Sequence, residues 1–322
     1  MNINTSGVEG WHRYSDLLAE STGYKAGFAL PFLGVAAAVN ELSLSMAQLY
    51  SHKTSIAVSK SPNFERLVVQ FSRNGYRVQE FEPTQLQDPQ DWIAQLNKDT
   101  LFVLFERDEA FTGELYAMEA ATQALEGKKI FTIAVSHNQH FFRAFPRCSD
   151  HQVEVCSAGP GRAVALLGAR VNIPSVFALS LPWKEWDISD FLKVQTVKSE
   201  KRQEIEQFEK IHIKGFTPLF KSEMKSRIYD RAAIHCEDVD GYSLISELST
   251  LMNIKLQEPG YETRLEATSL CRWSGEKNFS WLVRHLGERS AQGLILISAD
   301  LLPGNLGVLL QKSRENVLRM QG

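Results

Sequence analysis

From Phe28 onward, short apolar runs alternate with longer amphipathic segments, and this alternation constrains the fold more than any other feature of the chain. Ala36 to Tyr50 carries Val39, Leu42, Met46 and Leu49 at helical spacing. Thr54 to Val58 then reads as a strand, Asn63 to Asn74 as a helix and Tyr76 to Phe81 as a strand. Leu101 to Phe105 is a continuous apolar run, the pattern of a strand buried on both faces. Glu114 to Leu125 reads as a helix, Ile130 to Val135 and Gln152 to Cys156 as strands, and Ala163 to Ala169 as the opening of a further helix or turn. Strand–helix alternation at this spacing predicts an α/β architecture, a mostly parallel sheet with helices on both faces.

The pattern changes after Trp183-Lys184-Glu185-Trp186. Asp190 to Ile211 predicts a charged amphipathic helix. Its run Lys198-Ser199-Glu200-Lys201-Arg202 mixes both signs and reads as a solvated face, not a nucleic-acid patch. Beyond it, Ser226 to Cys236, Thr263 to Cys271, Gly293 to Ser298 and Leu306 to Leu310 read as strands, with helices over Gly241 to Met252 and Asn278 to Arg289. At the other end, Trp11, Tyr14, Leu17 and Leu18 predict a helix through Thr22. The expected division is an N-terminal helical segment (1–25), a large α/β domain (26–189), and a bridging helix with a small α+β domain (190–322). Trp183 and Trp186 are expected to pack at the junction.

At 322 residues, with 43% hydrophobic and 23% charged content, the chain can bury a large core. A net charge of -3 provides no global attraction to nucleic acid or anionic membrane. No apolar run reaches membrane-spanning length, and Met1-Asn2-Ile3-Asn4-Thr5 lacks the regions of a signal peptide, so a cytoplasmic protein is expected. The four cysteines are irregularly spaced and suggest no disulfide framework. His137, His140, Cys148, His151 and Cys156 have the residue types of a zinc site but no Cys-x-x-Cys knuckle. The alternative is a core cysteine and loop histidines, and no metal is expected. There is no Gly-x-Ser-x-Gly elbow, Walker A loop or dinucleotide fingerprint. Glu106, Asp108 and Glu109 at a strand end read as a solvated loop.

One segment carries a more specific signal. Ser157-Ala158-Gly159-Pro160-Gly161-Arg162 is a small-residue turn ending in a basic residue; apolar positions follow, then Gly168 and Arg170. It resembles the cofactor-lysine segment of the fold-type I pyridoxal-phosphate enzymes, the aminotransferase superfamily, where the pattern is S-x-S-K, apolar residues, then G-x-R. The resemblance covers most of the chain from about Ala26 and implies an aminotransferase-like fold. Counting back from Gly168 and Arg170, the Schiff-base lysine position falls on Arg162, whose guanidinium stays protonated and is no amine nucleophile.

The resemblance implies further losses. The phosphate-binding turn corresponds to Leu33-Gly34-Val35-Ala36-Ala37, which keeps the glycine without the hydroxyls. Phe64 takes the place of the ring-stacking aromatic, or is a helix residue packed on the sheet. Ala110 stands where the family's Asn-Pro-Thr-Gly asparagine belongs, ahead of Thr112-Gly113. Ser136 or His137 occupies the place of the aspartate that holds the pyridine nitrogen protonated. Near the C-terminus, Leu309 or Leu310 replaces the carboxylate-binding arginine. Arg170 matches the family's phosphate contact, with Arg162 adding a second positive charge. Lys25, Lys53, Lys60, Lys128, Lys129 and Lys184 sit at helix ends, loops or strand ends, none after the small-residue turn that the cofactor lysine needs.

The expectation is therefore a non-catalytic aminotransferase-like protein, a pseudoenzyme with a structural, regulatory or partner-binding role. The resemblance implies a homodimer, and no bound cofactor is expected. Gly34, Phe64, Ser136, Arg162 and Arg170 form the vestigial cofactor site or a small-anion site. The alternative is a pyridoxal-phosphate-dependent aminotransferase with an unorthodox site. A third reading keeps the pocket for a noncovalent phosphate, nucleotide or carboxylate, against the possibility that Arg170 pairs with an internal acid and Arg162 is solvent-exposed.

Overall fold

The computed structural model describes residues 15–16, 19–20, 27–86, 88–107, 116, 118–136, 149–159, 162–172, 207–208, 210, 212–218, 231–252, 265–267, 292–298 and 305–321. The chain divides into two compact units. One comprises Met1–Ala110 with Leu115–Thr196, the other Phe111–Glu114 with Val197–Gly322.

The first unit is built on seven strands: β1 (Phe28–Phe32), β2 (Ser55–Ser59), β3 (Arg77–Phe81), β4 (Thr100–Glu106), β5 (Phe131–Ser136), β6 (Gln152–Gly159) and β7 (Arg162–Leu167). Their order in the sheet is β1-β7-β6-β5-β4-β2-β3. β3, β2, β4, β5 and β6 pair in parallel, while β7 runs antiparallel to both β6 and β1. Six strands thus share one direction and β7 alone opposes them. The mixed α/β expectation holds, with a mostly parallel sheet.

Side-chain alternation assigns the two faces. Ile56, Val58, Phe102, Leu104, Ile133, Val135, Val153 and Val155 pack beneath α1 (Val35–Leu49) and α2 (Glu65–Arg73). Ala57, Val103, Phe105 and Ala134 pack on the opposite face with α3 (Gln90–Ala94) and α4 (Glu119–Gly127). There Phe81 stacks on Trp92 with ring centroids 4.5 Å apart. Leu101 to Phe105 are buried, as the apolar run predicted, and so are Thr100 and Glu106 at the ends of β4.

The second unit holds an antiparallel sheet ordered β10-β11-β9-β8, from β8 (Phe216–Pro218), β9 (Arg231–Cys236), β10 (Leu265–Ala267) and β11 (Leu294–Ser298). Helices α5 (Gly241–Leu251) and α6 (Leu306–Gln321) bury Leu244, Leu248, Leu310 and Val317 in its core. Asp240 caps α5 by accepting from the Ser243 N–H at 3.0 Å. Gly215 has a φ of 83°, and a Cβ there would lie 2.5 Å from Arg314 Nε. That guanidinium pairs with Asp238, Nε to Oδ1 being 2.8 Å.

Three expectations are corrected. Ala163 to Ala169 opens no helix: 162–167 is a strand, buried between β1 and β6 after its half-buried first residue. A five-residue apolar run has no period that separates strand from helix. Leu306 to Leu310 is the first part of helix α6, not a strand; Leu306, Leu310, Ser313 and Val317 form its buried stripe. Asn63 to Asn74 is a 3-10 turn (Pro62–Phe64) followed by α2. The expected helix at 278–289, most of those at 1–22 and 190–211, and Trp183 and Trp186 lie outside the described residues. Among the described residues, no helix is long and apolar enough to cross a membrane.

Candidate functional site

The carboxyl ends of β1, β2, β4, β5 and β6 lie along one edge of the first sheet, and β7 begins there. In open α/β sheets this is the edge where ligands bind. Gly34 sits at it as the N-cap of α1, with φ 114° and ψ 160° and no side-chain cap. Val35, Ala36 and Ala37 open the helix without a hydroxyl. Phe64, on the turn after β2, is 2% exposed and belongs to the core packed under α1 and α2. Ser136 is buried at the end of β5, in register with Cys156 of β6. Arg162 is half-buried as the first residue of β7, paired across the sheet with Gly159. Only Pro160 and Gly161 separate the two paired residues.

Arg170 is not brought to this edge. It follows the far end of β7, where Leu167 pairs with Val153 near the start of β6. Its N–H donates to Asp150 O at 2.8 Å, and its Nε lies 3.8 Å from Asp150 Oδ2 on a side chain 62% exposed. The site proposed from sequence thus splits. Gly34, Phe64, Ser136 and Arg162 share the carboxyl edge, and Arg170 lies at the amino edge.

Charged and amide groups stand at the end of β4 and along β6. Glu106 ends β4 in a buried position and accepts from Asn63 Nδ2 at 2.7 Å, which corrects its reading as a solvated loop residue. Asp108 and Glu109 lie outside the described residues. Arg107 is buried on the opposite face of the sheet and forms an ion pair with the buried Glu154 of β6. Gln152 Nε2 donates to Glu154 Oε1 at 2.9 Å. The signal available was the alternation Gln152-Val153-Glu154-Val155-Cys156, whose polar face points inward here.

Lys25 and Lys184 lie outside the described residues. Lys53 is at the amino edge, its Nζ donating to Thr100 O at 3.2 Å; burial pushes its ammonium below the usual value, with Asp99 opposing. Lys128 and Lys129 precede β5 at that same edge, Lys128 Nζ donating to Ile93 O at 3.1 Å. Lys60 follows β2 at the carboxyl edge, paired with Glu82 at 2.6 Å on the outer side of the sheet. Of the suspected zinc ligands, His137, His140 and Cys148 lie outside the described residues. His151 precedes β6, its Nδ1 3.9 Å from Glu126 Oε1. Cys156 is buried farther along that strand and forms no disulfide. Five residues of extended chain span roughly 16 Å, so these two do not share an ion. Among the described residues, no group of three or more His, Cys, Asp or Glu side chains could hold a metal.

No family model matches the chain, and no curated protein does. Solved structures do. A NifS-like protein superimposes with a TM-score of 0.65 at 12% identity, covering 97% of this chain and 88% of that one. DndA from Streptomyces lividans has a TM-score of 0.58 at 13% identity, over 91% of this chain and 88% of its own. SspA in complex with cysteine has a TM-score of 0.56 at 12% identity, over 91% and 87%. The chain has the fold of the fold-type I pyridoxal-phosphate-dependent transferases, as the resemblance implied.

Proposed function

We propose that this chain is a non-catalytic protein on a pyridoxal-phosphate-transferase fold, with a structural, regulatory or partner-binding role. The observation that carries the reading is the connection between β6 and β7. Gly159 and Arg162 pair across the strands with only Pro160 and Gly161 between them, and none of these four residues is an amine. A guanidinium does not form a Schiff base at neutral pH.

The residues described at the carboxyl edge do not fit the cofactor as an attached group. Ser136 has no charge to hold a pyridine nitrogen protonated. The first turn of α1 offers no hydroxyl to a phosphate. Lys60 is the lysine that the described residues place on this edge; it is ion-paired and removed from β7 by three intervening strands. Fold alone assigns no activity; these side chains decide what the edge can do. Beside the β6–β7 connection the described cation is Arg162, and a small anion held there would meet it, not Arg170. A homodimer, implied by the resemblance, belongs to the same proposal.

The test is spectroscopic. Purified full-length protein, incubated with excess pyridoxal phosphate, is expected to develop no internal-aldimine absorbance. After borohydride treatment and proteolysis, no lysine should carry the cofactor mass. A reducible band with the mass on a single lysine, Lys60 included, would overturn the proposal in favour of an unorthodox aminotransferase.

A further inference from the structure

Arg107 and Glu154 are an internal guanidinium–carboxylate pair, with side chains 3% and 0% exposed. Arg107 directly follows β4 and Glu154 lies in β6, with β5 between the two strands. In register, β5 presents Ala134 to both Phe105 of β4 and Glu154 of β6. A methyl group at that position leaves the guanidinium room to cross from β4 to β6. Arg107 Nε lies 3.1 Å from Glu154 Oε2, and both Nε and Nη2 contact Oε1. Gln152 supports the same carboxylate.

The main chain of Arg107 is held as firmly as its side chain. Its N–H donates to Val135 O at 2.8 Å, and its carbonyl accepts from Tyr116 N at 2.8 Å. The point where the chain leaves β4 is thus also the point to which Tyr116 is tied. On the other face, the preceding residue is the buried Glu106, bonded to Asn63 beside Phe64.

We propose that the Arg107–Glu154 pair is a clasp that positions the exit of β4 at the carboxyl edge, making Arg107 and Glu154 positioning residues for Glu106 and Tyr116. An apolar pair of similar volume would avoid desolvating two charges and would pack as well. The ion pair adds direction: a planar fork meets a planar carboxylate in few geometries, which orients the backbone that bears it. The inference rests on placing the candidate site at this edge and not on whether the site is catalytic.

Amide hydrogen exchange at Tyr116 reads the clasp, with Leu104 in β4 as the reference for wider opening. In the full-length double variant Arg107→Met/Glu154→Met, the denaturant midpoint is expected to stay near that of the parent. Exchange at Tyr116 should rise about tenfold while Leu104 stays protected. Unchanged exchange at Tyr116, or an equal rise at both amides, would overturn the proposal. Should the double variant not fold, Glu154→Ala replaces it, with sodium formate supplying the missing carboxylate. Formate is expected to slow Tyr116 exchange back toward the parent rate, and no response to formate counts against the clasp. An aldimine in the parent would overturn the functional reading alone and leave this result standing.

Discussion

Gly168 and Arg170 carried the sequence resemblance, and each has an explanation in local packing. A Cβ on Gly168 would lie 2.0 Å from Ser149 O and 2.6 Å from Asp150 O, so β7 passes the start of β6 at a distance only glycine permits. Arg170 lies two residues on, against the carboxylate and carbonyl of Asp150. Gly168→Ala forces the two backbone segments apart and is expected to cost about 1–3 kcal/mol, read as a lower denaturant midpoint with an unchanged slope. Arg170→Ala, exposed and weakly paired, should cost less than about 0.5 kcal/mol. If the two variants lose equal stability, the packing explanation of the motif fails. The residues missed at this scale are instructive. Glu106 and Glu154 are carboxylates inside a sheet, and a single sequence assigns carboxylates outward unless it also shows their partners. Asn63 and Arg107 are 43 and 47 positions away from those partners. Such pairing is set by strand order, which local pattern does not encode.

At the scale of elements, legibility followed the length and clarity of the local pattern. β4 and β5 were readable because strands covered on both faces need near-continuous apolar runs, and the start of β6 because its residues alternate. β7 and the first turn of α6 were misread for the converse reason, since Ala-Val-Ala-Leu-Leu and Leu-Gly-Val-Leu-Leu are too short to display a period. What distinguishes them is the neighbourhood: β7 lies between two strands, whereas α6 continues for another three turns of amphipathic sequence. Helix α1 was legible as a helix, but the meaning of its start was not. Gly34 holds φ 114° and ψ 160°, a region closed to residues with a Cβ, although nothing lies within 4 Å of where that Cβ would be. The glycine is therefore accounted for by backbone conformation, with or without a phosphate. Gly34→Ala is expected to cost about 1–3 kcal/mol through that strain, measured by urea unfolding. A neutral result would mean that the start of α1 relaxes freely.

At the scale of the whole molecule, a surface aspartate among the described residues of each unit is held in its charged form. In the first unit, hydrogen bonds from the Thr54 hydroxyl and then Arg77 hold Asp99 far below the usual carboxylate range. In the second, a hydrogen bond from Arg314 lowers the value of Asp238, against a smaller opposing effect of burial. A carboxylate whose folded value is depressed binds its proton more weakly folded than unfolded. Its contribution is present above the unfolded value, near 4, and drains away as pH falls toward the folded value. Both units should therefore lose stability in the same direction below about pH 4, through different residues. Asp99 ties the start of β4 to Thr54 and Arg77, which flank β2 and β3, so its loss acts at the amino edge, opposite the candidate site. Asp238 ties the turn after β9 to α6. Urea unfolding between pH 7 and pH 3, followed by site-specific probes in each unit, checks the assignment. Asp99→Asn should flatten the pH dependence reported by the first unit and leave that of the second, and Asp238→Asn should do the reverse. If either variant flattens both profiles equally, the units do not titrate independently, and the acid response belongs to one cooperative molecule.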